Sequence, residues 1–542
     1  MGAERFNKKL GILTTGLGLF MAMLDTTIVT ISIPAMMKDF NASTSNIAWV
    51  LDAYLLVLAM LILVMGRLAD QYGRRLMYGI GAGIFTVGSL LCAVSWGVGW
   101  LIGFRCFQAI GAAIMIPTTM AIITAMFPPE KRGMAMGLWA AIGITAAAVG
   151  PTLGGILVEY LDWSWIFYVN LPIGLAALAL IRRAVPESRD LQASKKIDYV
   201  GVVTSSISIF SLVLAITKGA DWGWTSALTV TLFILAAEFM IAFLLFEKLQ
   251  SKPMMDLGLF KSVTFSSAVL GQLLVAVGML GAMYLLTLFL QNVLGYSALK
   301  AALSVTPIPL TALVLAPGTG KLCDRIGGRP ITVVGIAALG VGLYLCSQLG
   351  AESGWGDIAW RAVIVGVGFG LSNVGLAAAS MGAVKAGKEG IGSGVLNMSR
   401  MIGMALGVAV CVALLSSYVT TPMTEAKAEI GAIIAQDQQI PAALKGQIAE
   451  KLAASGEQKG IQAIPDLEAM AVELGAPEAA IPHIRELSAQ IKTIVRTHMS
   501  QAFADVYVVV AIACSFGILP ALLLGKPRKQ AGGRSAAYAG MG

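Results

Sequence analysis

Apolar residues run along this chain in long continuous blocks separated by short polar stretches, and the blocks do not alternate with a period of two. A helix rising 1.5 Å per residue needs about 20 apolar residues to cross a hydrocarbon layer of about 30 Å. Blocks of that length predict helical spans near 10–37, 47–66, 76–96, 99–126, 133–157 and 162–182, then a pair near 199–217 and 226–246. A further six are predicted near 262–290, 300–319, 331–349, 359–384, 390–417 and 504–524. Continuous runs favour helices over a membrane barrel, whose strands show short alternating segments. The polar stretch RRAVPESRDLQASKK closes the first six spans. The chain therefore divides into a first six-helix half (1–182), a linker with two inserted spans (183–261) and a second six-helix half (262–542). The expected fold class is an all-α polytopic membrane protein of fourteen transmembrane helices. One long polar stretch, 418–503, interrupts the second half, and its segments EAKAEIGAIIAQ, ALKGQIAEKLAAS and IPHIRELSAQIKTIVRTHMSQAF have helical periodicity. They predict a small helical cap outside the membrane, with His483 and His498 as surface residues.

Composition sharpens this picture. The 542 residues are 57% hydrophobic and 13% charged, with a mean hydropathy of +0.80, about half the charge content of a soluble domain. A net charge of +8 would suggest nucleic acid in a soluble protein, but here the basic residues fall in short loops between apolar runs, so no nucleic-acid partner is expected. Placing both termini in the cytoplasm leaves only Lys38, Lys218 and Lys300 in the short external loops, as the positive-inside rule requires. The first apolar stretch continues past Asp25 without a small-residue cleavage site and reads as a retained span. Cys92, Cys106, Cys323, Cys346, Cys411 and Cys514 lie in or beside apolar segments without metal-ligand spacing, so neither disulfides nor a metal site is expected. HExxH, GxSxG and paired CxxC motifs are absent, and the nearest phosphate-loop match, GAVKAGKE (Gly382 to Glu389), has glutamate where a hydroxyl must reach magnesium. An enzyme, a cofactor and ATP drive are all disfavoured, which leaves an ion gradient as the energy source. A membrane-embedded enzyme is the remote alternative.

An internal repeat adds function to topology. GRLADQYGRR (Gly66 to Arg75) follows the second span and GKLCDRIGGR (Gly320 to Arg329) follows the tenth, with glycine, a basic residue, leucine, aspartate, glycine and arginine at identical offsets. Arg105 and Arg361 echo each other near the starts of the fourth and twelfth spans. Two duplicated halves place a substrate cavity between them near the membrane midplane.

With these motifs the chain resembles the major facilitator superfamily, and within it the fourteen-span drug:proton antiporters of the EmrB/QacA type. The resemblance rests on LDTTIVTISIP (Leu24 to Pro34), on GRLADQYGRR, on RCFQAIGAA from Arg105, and on Gly137, Gly150, Pro151, Gly154 and Gly155 of the fifth span. WSWIFYVNLPIG (Trp163 to Gly174) completes it. Thr30, Ser32, Ala146 and Ser164 depart from the usual residues. The resemblance implies a proton-coupled multidrug efflux antiporter of the bacterial cytoplasmic membrane, exporting lipophilic, cationic compounds. Its partners would be drug-like small molecules, protons and the lipid bilayer, with a periplasmic adaptor protein a candidate partner of the external segment. Export of one dedicated amphiphile, an antibiotic, fatty acid or lysolipid, is the alternative.

Charges inside the spans carry the site assignment, because each costs about 2.5–3.5 kcal/mol or more at the bilayer centre unless paired or wetted. They are Asp25, Asp52, Arg105, Glu238, Arg361 and Arg400. Asp25 and Arg105 are the expected proton-coupling groups, the aspartate through its place in the first-span signature. Asp25, Asp52, Trp49, Tyr54 and Glu238 are the expected substrate groups, with Asp25 and Asp52 placed in the outer half where one cavity could hold both. Phe167, Tyr284 and the methionines could add an adaptable apolar lining. Gly66, Asp70, Gly73 and Arg74, with Asp324, Arg325 and Arg329 in the repeat, are expected to latch the cytoplasmic face. Gly150, Pro151, Gly154 and Gly155 form the expected close-packing, hinge-bearing face.

Overall fold

The computed structural model describes residues 8–42, 44–189, 198–250, 255, 257–385, 387–437, 445 and 481–525. Within them are 14 helices long and apolar enough to cross a membrane, and no strand. The first half comprises α1 (Lys8–Asp39), α2 (Thr44–Tyr72), α3 (Arg74–Ala93), α4 (Val98–Met126), α5 (Arg132–Tyr160), the short α6 (Trp165–Tyr168) and α7 (Asn170–Ala184). The inserted pair is α8 (Tyr199–Trp222) and α9 (Ala227–Leu249). The second half comprises α10 (Val263–Asn292), α11 (Ala298–Val305), α12 (Pro307–Ile326), α13 (Gly328–Cys346), α14 (Trp355–Ala383), α15 (Glu389–Gln436), α16 (Ile481–Ser515) and α17 (Ile518–Leu522).

The halves meet along two seams, α5 against α12 and α2 against α15, with α4 and α14 completing the contact. The inserted helix α8 packs on α9 and also straddles one seam, touching α2 of the first half and α15 of the second. Leu56, Ala59, Ile209 and Val213 form the apolar cluster there. The Gly66–Arg75 and Gly320–Arg329 turns lie at one end of the bundle, the turn face. Gly73 and Gly327 open those turns with φ of 116° and 87°, a backbone region that glycine enters without steric cost.

Two helices run well past the expected boundaries. α15 continues from the turn face through Pro422 to Gln436, and α16 begins at Ile481, so the described parts of 418–503 are mainly continuations of two spans. The reason is an apolar stripe shared by the two extensions. Met423, Ala426, Ile430 and Ile434 recur every three to four residues and pack with Ile484, Leu487, Ile491 and Val495 of α16. His483 meets Asp437 at 2.6 Å and His498 meets Glu429 at 3.1 Å, so both histidines link the extensions. The segment ALKGQIAEKLAAS lies, apart from Lys445, outside the described residues.

Candidate functional site

Asp25 and Arg105 meet in the interior of the first half, both 0% exposed. Arg105 donates Nη1 to Asp25 Oδ2 at 2.5 Å and to Gln108 Oε1 at 2.6 Å, and Nε to the Val50 carbonyl at 3.2 Å. Gln108 donates to Asp25 Oδ1 at 3.0 Å and to Ser89 Oγ at 2.8 Å. Asn170 reaches Asp25 Oδ1 at 3.5 Å and Ser89 at 3.3 Å, and the Tyr54 ring lies 4.0 Å from the guanidinium carbon. Phe167 closes the cluster 5.7 Å from that carbon. Six helices contribute, α1 to α4 with α6 and α7, so the pair is held from every side. Arg105 Nη2, the Tyr54 hydroxyl and Asn170 Oδ1 are nevertheless buried without a protein partner. Buried polar atoms are generally partnered by protein or by ordered water, so these three are places where water can bind.

Gln108, Ser89 and Asn170 were missed as site residues at the sequence level, although two lie inside the quoted signatures. Gln108 stands three residues after Arg105, on the same helix face. For Ser89 no sequence signal distinguishes it from other span serines.

The structure splits the expected substrate groups: Tyr54 joins Asp25 at the Arg105 cluster, Asp52 and Trp49 meet elsewhere around Lys218, and Glu238 lies apart from both. Asp52 points to the inserted pair, where Lys218 Nζ lies 2.6 Å from its Oδ2 and 5.1 Å from the Trp49 ring. Tyr54, two residues later, faces Arg105. Two residues turn a helix by about 200°, so Trp49 and Asp52 share one face and Val50 and Tyr54 the opposite one. Lys218, read as a loop lysine, lies within α8 because that helix extends to Trp222. Glu238 is exposed on the outer side of α9, apart from both aspartates, and Tyr284 packs against the core of the second half. The expected apolar lining takes another form. A cavity of about 340 Å³ between the inserted pair and the α2–α15 seam is lined by Leu63, Met240, Phe243, Phe260 and Met398 among others.

At the turn face the two halves are joined by paired caps. Asp70 accepts hydrogen bonds from the first amides of α15, Gly390 N–H and Ile391 N–H, both at 2.9 Å. Asp324 accepts from the first amides of α5, Gly133 N–H at 2.7 Å and Met134 N–H at 2.9 Å. A carboxylate at a helix N-terminus satisfies donors that lack intrahelical partners and opposes the positive end of the helix dipole. The glycines permit this approach: a Cβ at Gly66 would sit 2.5 Å from the Gly390 carbonyl oxygen, and one at Gly320 would strike the Gly133 carbonyl. Around Asp70 the cap becomes a charged network. Arg74 bonds Asp70 and Glu389, each at 2.7 Å, and Arg132 approaches Glu389 at 3.5 Å. Arg325 and Arg329 are exposed and join neither cap.

The glycine face of α5 packs on α1 just beyond Asp25. A Cβ at Gly150 would collide with Thr27, and one at Gly154 with Ile28, whereas Gly155 faces open space and takes no part. α5 remains one helix through Pro151. Arg361 differs from Arg105: it donates to the Leu345 and Asp357 carbonyls, each at 2.9 Å, and serves a helix end. Arg400 lines a small cavity between the halves with Trp139, Gln272, Asn373 and Asn397.

Two six-helix halves clasped by reciprocal helix caps, with a carboxylate–guanidinium pair buried in one of them, define a polytopic membrane transport protein. The family model described as Major Facilitator Superfamily matches residues 15–408. The chain is 34% identical to "Multidrug resistance protein Stp" of Mycobacterium tuberculosis, over 76% of this chain and 77% of that protein. It is 32% identical to "Tetracenomycin C resistance and export protein" of Streptomyces glaucescens, over 75% and 76% of the two chains. Among solved structures, the human organic anion transporter MFSD10 superposes with a TM-score of 0.57 at 14% identity, covering 74% of this chain and 92% of that one, a likeness of fold alone. The chain belongs to the Major Facilitator Superfamily.

Proposed function

We propose that this protein is a proton-coupled exporter of lipophilic drug-like compounds, with the turn face and both termini in the cytoplasm and Asp25 as the proton carrier. The observation that carries the reading is the buried Asp25–Arg105 pair. As it stands the pair is electrically neutral. A proton on Asp25 leaves Arg105 as an uncompensated buried cation, a state that costs several kcal/mol unless the cluster opens toward water. The three unpartnered polar atoms beside the pair are groups that water entering the cluster would engage.

The cluster is mechanically connected to both caps. α2 carries Tyr54 at the cluster and Asp70 at the turn face, about 24 Å apart along the helix. α5 carries Gly150 against Thr27, two residues from Asp25, and Gly133 under Asp324. Protonation that shifts α1 or α2 therefore acts on elements that also hold the halves together. The relatives named for multidrug resistance and for antibiotic export support drug-like cargo, and the apolar cavity beside α8 suits lipophilic compounds arriving from the bilayer. The expectation of cationic cargo loses its main support, because the Asp52 carboxylate is already neutralised by Lys218. A relative named for a single antibiotic supports the narrower reading, export of one dedicated amphiphile, and a panel of charged and neutral compounds would separate the two.

The test is drug transport in everted membrane vesicles. Asp25→Asn preserves volume but cannot titrate, and pH-gradient-driven export of every compound should vanish while the protein is still made. Export that survives a protonophore and requires ATP, or that proceeds normally in Asp25→Asn, would sink the reading.

A further inference from the structure

Arg400 is the exception among the arginines of the bundle interior. Arg74, Arg105, Arg132 and Arg361 each have a carboxylate within 3.6 Å. Arg400 makes no hydrogen bond or ion pair with any described residue, its Nε is buried without a partner, and the Trp139 ring lies 5.6 Å from its guanidinium carbon. A cation in a membrane interior is costly unless paired, and a guanidinium presents five donors in a planar fork that matches a carboxylate or sulfonate. Arg400 lies eleven residues along α15 from Glu389, which places it about 16 Å above the cap at the turn face, near the middle of a bilayer about 30 Å thick.

The rest of the cavity is chemically specific. Met120 and Trp139 line it from the first half, and Gln272, Asn373 and Asn397 line it from the second beside Arg400. Among the described residues no carboxylate lines it. Gln272 donates to Asn373 Oδ1 at 3.2 Å, while its own Oε1 is buried without a partner. A cationic ligand would find no counter-charge here. An anion would find the guanidinium, and a flat ring would find an indole face and a thioether. The cavity is small as it stands. Its walls come from both halves, however, and Trp139 is two residues from Gly137, which packs on α12 beside Gly320. Separation of the halves at the caps therefore widens it.

We propose that this cavity is the binding site for the ionised acidic group of an aromatic substrate, with Arg400 as the anion partner and Trp139 as the ring platform. The assignment rests on the export reading and names the class of its cargo. Charge-assisted hydrogen bonds distinguish a charged ligand from its neutral parent by about tenfold to a hundredfold in affinity.

The experiment uses the full-length protein in phosphatidylcholine nanodiscs, with empty discs subtracted and no pH gradient. Binding of 8-anilinonaphthalene-1-sulfonate is compared with that of its neutral parent, N-phenyl-1-naphthylamine, and of tetraphenylphosphonium. The sulfonate should bind the wild type at least about tenfold more tightly than the parent, and more tightly than the phosphonium cation. Arg400→Gln should remove the sulfonate preference while leaving the parent's affinity unchanged, and Arg400→Lys should retain part of it. Trp139→Leu should weaken both naphthyl probes. Equal binding of sulfonate and parent by the wild type would overturn the proposal without reliance on any variant's folding, and so would parallel loss of both probes in Arg400→Gln. Because the measurement is made at equilibrium, it can fail while gradient-driven export stands, or hold while export proves not to be proton-coupled.

Discussion

The turn from Gly66 to Arg75 and its repeat from Gly320 to Arg329 each set an aspartate under the first amides of a helix from the other half. Their surroundings differ. Asp70 is fully buried and shares Arg74 with Glu389, which in turn meets Arg132. Asp324 is partly exposed and has no ion pair within 4.0 Å among the described residues. The cause is local. Arg74 has Gly328 as its counterpart, and the residues that open the capped helices are Glu389 in one case and Arg132 in the other. Those two meet each other, so the second cap gives up its own charge partner to the first. Capping needs only an aspartate, a close-packing glycine and free helix amides, and both turns have those. A charged network needs matched residues on four helices, and only one copy has them.

This comparison can be broken by experiment. The largest effect is expected at Asp70. Asp70→Asn keeps one acceptor but leaves Arg74 with Glu389 as its one carboxylate, beside the Gly387 carbonyl, and breaking a buried pair costs about 3–5 kcal/mol. Transport per mole of protein should fall by about tenfold or more, whereas Asp324→Asn should lower it only a few-fold. Matching losses in the two variants, both made normally, would mean that the network adds nothing to the cap.

A smaller effect is expected from coupling within the network. In a double-mutant cycle, Arg74→Gln and Glu389→Gln should be non-additive in the thermal stability of the purified protein by about 0.5–3 kcal/mol, while Arg74→Gln and Asp324→Asn should add. Additivity in the first pair would place Arg74 and Glu389 in separate interactions. The smallest effect is expected at Arg325 and Arg329, exposed at the second turn and joined to neither cap. Replacing either with glutamine should leave the transport rate within about twofold of wild type, as is usual for surface positions. A larger loss would return these arginines to the latch assigned to them by their place in the repeat.

What the sequence determined by itself was everything that depends on local or repeated properties. Crossing a membrane requires only length and hydropathy, so the fourteen spans were readable, and so was the duplication, because glycine and aspartate recur at fixed offsets around each turn. Asp25 and Arg105 stood out because an ionised group is expensive inside a span. Tertiary structure decided which of these groups meet. Asp52 and Tyr54 are two residues apart and face opposite ways, a matter of which neighbour each helix face packs against. Lys218 became a buried partner only because α8 extends to Trp222 and leans on α2. Gln108 and Asn170 converge on Asp25 from different helices. Arg400 carries the same charge in sequence as Arg105, and only packing shows that one faces a carboxylate and the other does not. Hydropathy is a property of a segment and can be read along the chain, but pairing is a property of two segments brought together, and folding alone determines it.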